Sequence, residues 1–167
     1  MALTALPAAM SKLRASQLNS LVTEIRGVYA RKTADETVNN SSTLQNDDHL
    51  FVSLAANAVY DFRLVLHYIS GTTPDLKVGW SVPSGTTMVW GGMIADTSGA
   101  VTSVAALTQS SVQAIGGSGS NIYQFFSGVV VTSTTAGTLQ LQWAQNSANL
   151  SDSKILAGSE LTLTRTS

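Results

Sequence analysis

Cysteine is absent from the chain. That excludes a disulfide framework, thiolate catalysis and Cys-based zinc sites. Charge is scarce as well: Asp, Glu, Lys and Arg make up 11% of the 167 residues, well under the share usual in globular domains. Histidine is limited to His49 and His67, which leaves little for general acid–base work. No stretch approaches the run of about 18 apolar residues that a spanning helix needs. The opening Met-Ala-Leu-Thr-Ala-Leu-Pro lacks a basic region followed by an apolar core, so it does not read as a signal peptide. What is present is apolar mass, 44% of residues, together with 22 Ser and 19 Thr. Uncharged hydroxyls therefore replace salt as the solubilising surface. High apolar content with a net charge of only -1 excludes disorder over most of the length. The chain is long enough for one cored domain and an appendage.

The small net charge hides an asymmetry. Residues 1–32 carry Lys12, Arg14, Arg26, Arg31 and Lys32 against Glu24, a sum of +4, whereas residues 33–167 sum to -5. A basic head of this kind can contact nucleic acid, a membrane surface or an acidic protein, but charges this spread out read first as a solvated or partner-facing segment. Residues 1–15 read as an extended arm. Leu18, Leu21, Val22, Ile25, Val28 and Tyr29 then recur at helical spacing, with Ser16 as N-cap and Gly27 near the end. A helix of about 11 residues is not stable alone in water, so its apolar stripe must dock on something. Residues 1–32 are thus read as a basic arm and helix, residues 33–49 as a polar linker, and residues 50–167 as a β-domain.

From Leu50 onward the period is two. Tyr60, Phe62, Leu64, Leu66 and Tyr68 alternate with Val59, Asp61, Arg63, Val65 and His67, which predicts a strand over 59–69. The same alternation runs through Leu76, Val78, Trp80 and Val82, through Leu139, Leu141 and Trp143, and through Leu161 and Leu163. Further strands are expected over 50–54, 86–94, 101–107, 122–133 and 154–157. Gly- and Pro-containing turns punctuate them, and no helical pattern interleaves. About eight to ten such strands predict an antiparallel sandwich or barrel. Trp80, Trp143, Phe62 and Leu141 fall in phase with apolar neighbours and are expected in its core.

Catalytic signatures fail in turn. There is no G-x-S-x-G elbow, no phosphate-binding loop and no H-E-x-x-H. Asp47, Asp48 and His49 are three adjacent residues on the expected linker, a poor basis for one metal. His67 shares a face with Asp61 and Arg63 and reads as a surface histidine. The glycines of 116–119 have no amphipathic helix after them and read as a flexible loop. No catalytic residue, metal ligand or cofactor site is assigned.

Three stretches carry a resemblance: Arg-Lys-Thr-Ala-Asp-Glu-Thr-Val-Asn-Asn-Ser-Ser-Thr-Leu-Gln-Asn-Asp-Asp (31–48), Asp-Leu-Lys-Val-Gly-Trp-Ser-Val-Pro-Ser-Gly (75–85), and Gly-Thr-Leu-Gln-Leu-Gln-Trp-Ala-Gln-Asn (137–146) with Leu-Ala-Gly-Ser (156–159). Together they resemble a family of virion structural proteins of tailed phages of actinobacteria, described as head decoration, head fibre or minor tail proteins. The resemblance spans residues 12–166. It implies a jelly-roll body of tumour-necrosis-factor-like type that forms homotrimers, and it carries no catalytic residue across. Strands apolar on both faces agree with that, because each face needs cover.

The expectation is therefore a non-enzymatic virion protein, a homotrimeric decoration or head fibre on the particle surface. Its partner would be the major capsid protein or another virion protein, with neither nucleic acid nor membrane involved. Leu18, Leu21, Val22, Ile25, Arg26 and Arg31 are the expected anchor, and Val65 and Val130 the expected trimer interface. The rivals are a minor tail or baseplate component, and a receptor- or glycan-binding knob using Trp90, Tyr123 or the loop 116–121.

Overall fold

The computed structural model describes residues 27–167, and every element in them is a β-strand. In chain order these are β1 Val28–Arg31, β2 Glu36–Val38, β3 Gln45–Leu54, β4 Val59–Ile69, β5 Leu76–Ser81 and β6 Thr87–Ala95. They continue with β7 Val101–Thr108, β8 Gln113–Ile115, β9 Asn121–Val131, β10 Gly137–Gln145, β11 Ser153–Ile155 and β12 Glu160–Arg165. All pairings are antiparallel. The larger sheet runs β1-β12-β4-β9-β6-β7, with β11 beside β4 and β2 beside β11; the smaller runs β3-β10-β5-β8.

The two sheets bury their inner faces against each other. Period-two alternation along β4 sends Tyr60, Phe62, Leu64, Leu66 and Tyr68 inward, where they meet Leu50 and Val52 of β3, Val78 and Trp80 of β5, and Leu139, Leu141 and Trp143 of β10. An aromatic chain crosses the core edge to face: Phe62 to Trp80 at 5.4 Å, Trp80 to Trp90 at 6.2 Å, and Trp90 to Phe126 at 5.4 Å. Trp80, Trp143, Phe62 and Leu141 are all buried, as their phase predicts.

Three departures from the sequence expectations stand out. Val28 and Tyr29, which fit a helical phase, form β1 and pair with Leu163 and Thr162 of β12. The rest of the expected helix lies outside the described residues. The stretch read as a polar linker is largely built into the sheets: β2 pairs with β11, and β3 begins at Gln45, five residues before the expected start. Finally, the glycine loop is pinned. The Gly116 carbonyl accepts the Tyr68 hydroxyl at 2.6 Å, the Gly117 N–H donates to Asp75 Oδ1 at 2.8 Å, and the Gly119 N–H donates to the Ser70 carbonyl. A Cβ at Gly117 would run into the Ser70 and Gly71 carbonyls, so the residue is there for close backbone approach.

Candidate functional site

Two places hold side chains in arrangements that folding alone does not explain from local pattern. The first is a buried ion cluster where β1, β2 and β3 converge. Lys32, fully buried, donates from Nζ to Asp47 Oδ2 at 2.8 Å and to Glu36 Oε2 at 2.7 Å. Asp47 reaches it because β3 bulges against β10, where pairing slips between Gln140 and Gln142. The Asp47 Oδ1 accepts the His49 and Leu50 amides at 2.9 and 2.8 Å, and the Gln140 amide donates to the Asp47 carbonyl. Both carboxylate oxygens are thus engaged by the protein itself. The cluster ties the edge of the larger sheet to the smaller one, and its chemistry is that of a paired structural charge. Asp48 and His49 are not drawn into it by their side chains, and among the described residues no group of three metal-ligating side chains converges.

The cluster also revises the charge arithmetic. Lys32 is neutralised inside the body, and Arg31 lies on β1 with Nε 3.9 Å from Glu160. Counting from Gly27, the body carries six cations and nine acids, a sum of -3, and residues 1–26 carry three cations and one acid, a sum of +2. The asymmetry keeps its sign and loses half its size.

The second place is the outer face of the larger sheet. Along β9 the outward residues are Tyr123, Phe125, Ser127, Val129 and Val131, all exposed. Val89 pairs with Val129 from β6, Val65 pairs with Phe125 from β4, and Met93 stands beside Phe125. Arg63 lies 5.6 Å from the Phe125 ring centroid, and His67 stacks on Tyr123 at 4.2 Å. Between the valines and the Phe125–Met93 pair the face dips where Gly91, Gly92 and Ser127 present almost no side chain. One hollow there, about 540 Å³, is lined by Arg63, Gly92, Met93, Phe125, Phe126 and Ser127. Its neighbour, about 360 Å³, lies against Val89, Gly91, Val104 and Val129. The smaller sheet offers a contrast: its outer face is mostly polar, with Gln140, Gln142, Asn46, Ser53 and Thr138, and Phe51 as its large exposed apolar residue.

Of the residues expected at the anchor, Leu18, Leu21, Val22, Ile25 and Arg26 lie outside the described residues. Of the expected interface pair, Val65 does sit half-buried on the outer face. Val130 does not: it is fully buried in the sandwich core, because the run Val129-Val130-Val131 alternates like any strand and only its ends face out. Trp90 is 2% exposed, its indole N–H donating to the Thr108 carbonyl, so it offers no platform to a ligand; Tyr123, at 60%, does. Burial, and after it the charge of Asp75, pushes the Tyr68 phenol well above its ordinary range. Asp96 is held below the usual carboxylate range by the Ser98 hydroxyl and by the backbone amides of its turn. The Tyr68 hydroxyl is spent on the Gly116 carbonyl and the Asp96 carboxylate on its own turn. Sequence reasoning missed Lys32 because it counted that residue with the solvated arm.

No family model matches this chain, and no curated protein does. Among solved structures it is similar to chains of infectious bursal disease virus. One comes from the Gx strain, at 14% identity and a TM-score of 0.21. Another is from the crystal structure of the VP2 subviral particle, at 11% identity and a TM-score of 0.22. Each match covers 83% of this chain and about 40% of the viral one, so the chain spans well under half the length of those proteins. At TM-scores this low the likeness carries no argument about function.

Proposed function

We propose that the protein is a non-enzymatic structural component of a bacteriophage virion, a homotrimeric capsid decoration or head fibre protein attached through its N-terminal segment. The observation that carries this reading is the strand order. Taken from β3 to β10, eight consecutive strands fall into two four-strand series, β3-β10-β5-β8 and β4-β9-β6-β7. That is the order of a jelly roll, the architecture that the resemblance of residues 31–48, 75–85 and 137–146 with 156–159 to actinobacteriophage virion proteins implies. The tumour-necrosis-factor-like variant and the trimer come from the same resemblance. An outer sheet face rich in exposed apolar side chains supports a body that associates.

The mechanism is binding without chemistry. Residues 1–26, with Lys12, Arg14 and Arg26 and the apolar positions Leu18, Leu21, Val22 and Ile25, meet the major capsid protein or another shell protein. The β-body projects outward. Joining three such segments in one trimer raises the effective concentration of each for its site, so individually weak contacts add up to lasting attachment.

A minor tail or baseplate position uses the same fold with a different dock. A receptor- or glycan-binding knob is favoured by one observation, the exposed Tyr123 ring stacked on His67. Antibody labelling of virions in negative stain separates these readings. Label over the head supports decoration, label at the tail supports the tail position, and unlabelled particles overturn the virion reading. A glycan array probed with the purified chain tests the knob.

A further inference from the structure

We infer that the outer face of the larger sheet, centred on β9, is the seam through which copies of this chain associate. The inference rests on the self-associating part of the proposed function, and it holds wherever in a particle the chain sits.

Size comes first. Val89, Met93, Tyr123, Phe125, Val129 and Val131 are between 40% and 69% exposed and follow one another along β9 and its neighbour β6. Together they present on the order of 600 Å² of side-chain surface, against about 800 Å² per partner in a standard stable interface. Half-buried Val59 and Val65 on β4 extend the patch. Scattered apolar residues on a surface need no explanation, but a patch of this size stands at the upper end of what monomers carry, where such patches are often functional.

Shape and charge favour a second copy as the occupant. The face carries both relief elements: large side chains at Phe125, Met93 and Tyr123, and hollows of about 540 and 360 Å³ over Gly91, Gly92 and Ser127. A face that carries both projections and depressions offers another instance of itself places to dock. The outward charges on β4 are Asp61 and Arg63, one of each sign two residues apart. Such a face meets its own copy without net repulsion, whereas a partner of strong single charge gains nothing from it. The smaller sheet, faced with Gln, Asn, Ser and Thr, has no comparable patch.

The test uses the full chain. Light scattering at micromolar concentration should give a multiple of 17.5 kDa, about three-fold on the trimeric reading. Val129→Asp and Tyr123→Ser should each lower that mass toward 17.5 kDa, while Phe51→Asp on the opposite sheet leaves it unchanged. Peroxide oxidation of the wild-type protein is a second readout that needs no variant. In the assembly Met93 should react several-fold more slowly than a free methionine. A wild-type monomer overturns the inference together with the trimer, including one in which Met93 is protected by the chain's own N-terminal segment. An assembly whose mass survives Val129→Asp and Tyr123→Ser, or whose Met93 reacts as a free methionine does, overturns the seam and leaves self-association standing.

Discussion

One step along β9 separates two outcomes. Val129 points outward and Val130 is fully buried in the core. An aspartate at 130 would put an unpaired charge in the core, at a cost of several kcal/mol, and should unfold the subunit. An aspartate at 129 should leave the far-UV circular dichroism close to wild type and lower the melting temperature only by what assembly contributes. Leu141, also fully buried, should cost about 2–5 kcal/mol when cut to alanine, read by thermal or denaturant unfolding. Lys32→Met leaves the Asp47 carboxylate buried without its cation and should cost about 3–5 kcal/mol. Adding Asp47→Asn should recover part of that loss, because the amide oxygen still accepts the His49 and Leu50 N–H groups. The core positions were legible from alternation alone, since Phe62, Trp80 and Leu141 lie in phase with their neighbours. Lys32 was not. Its partners lie four and fifteen residues away, and that spacing has meaning only once β3 bulges to bring Asp47 inward. Tyr68 adds a pH dependence. Its phenol is raised in the folded state, so the stability linked to it is fully present below the unfolded value of about 10. That contribution is lost as pH rises above 10 toward the folded value. Denaturant unfolding repeated from pH ~8 to ~11 should show the decline, and Tyr68→Phe should flatten it.

At the scale of elements, long strands announced themselves and short ones did not. Residues 59–69 form β4 over the expected range because eleven residues of strict alternation leave no other reading. β2 and β8, three residues each, are too short to carry a period. β1 was hidden because Val28 and Tyr29 extend a helical phase begun by Leu18, and only pairing with β12 decides against it. The expected anchor boundary moves accordingly. A truncation meant to isolate the body must end before Gly27, because removing residues 1–30 strips Val28, Tyr29 and Ala30 from the sheet edge. Deleting 1–26 should leave the β-body folded, whereas deleting 1–30 should lower its melting temperature. The β6–β7 pair holds a second element-level test. Its register slips between Trp90 and Gly92, and Ala106 sits opposite with φ 58°, where a side chain is disfavoured. Ala106→Gly should therefore stabilise the protein by about 1 kcal/mol in chemical denaturation, despite the entropy that glycine adds to the unfolded chain.

For the whole molecule, the two sheets divide the surface. One outer face is mostly polar, with Lys77 as a charge on β5, and the other is apolar and nearly neutral, while residues 1–26 retain a sum of +2. That division suits the proposed arrangement, a body that packs against its copies and a separate basic segment that meets the shell. The N-terminal contribution should have two separable parts. Leu21→Glu with Ile25→Glu should abolish attachment to particles at any salt, and Arg14→Ala with Arg26→Ala should weaken it mainly at low ionic strength, where screening is weakest. The antiparallel β class was readable from the sequence, because alternation and turn residues act locally, whereas the start of the body was not, because β1 and β2 are defined by distant pairing. Which face each valine takes was readable only in part: Val65 lies on the outer face as its phase implies, whereas the burial of Val130 needed the register of β9. The claim that matters most is that this chain belongs to a particle and works there by binding. Quantitative mass spectrometry of virions purified through a density gradient tests it most directly. The account predicts that the chain bands with the particles at many copies, in a fixed ratio to the major capsid protein. Its absence from gradient-purified virions would contradict the account.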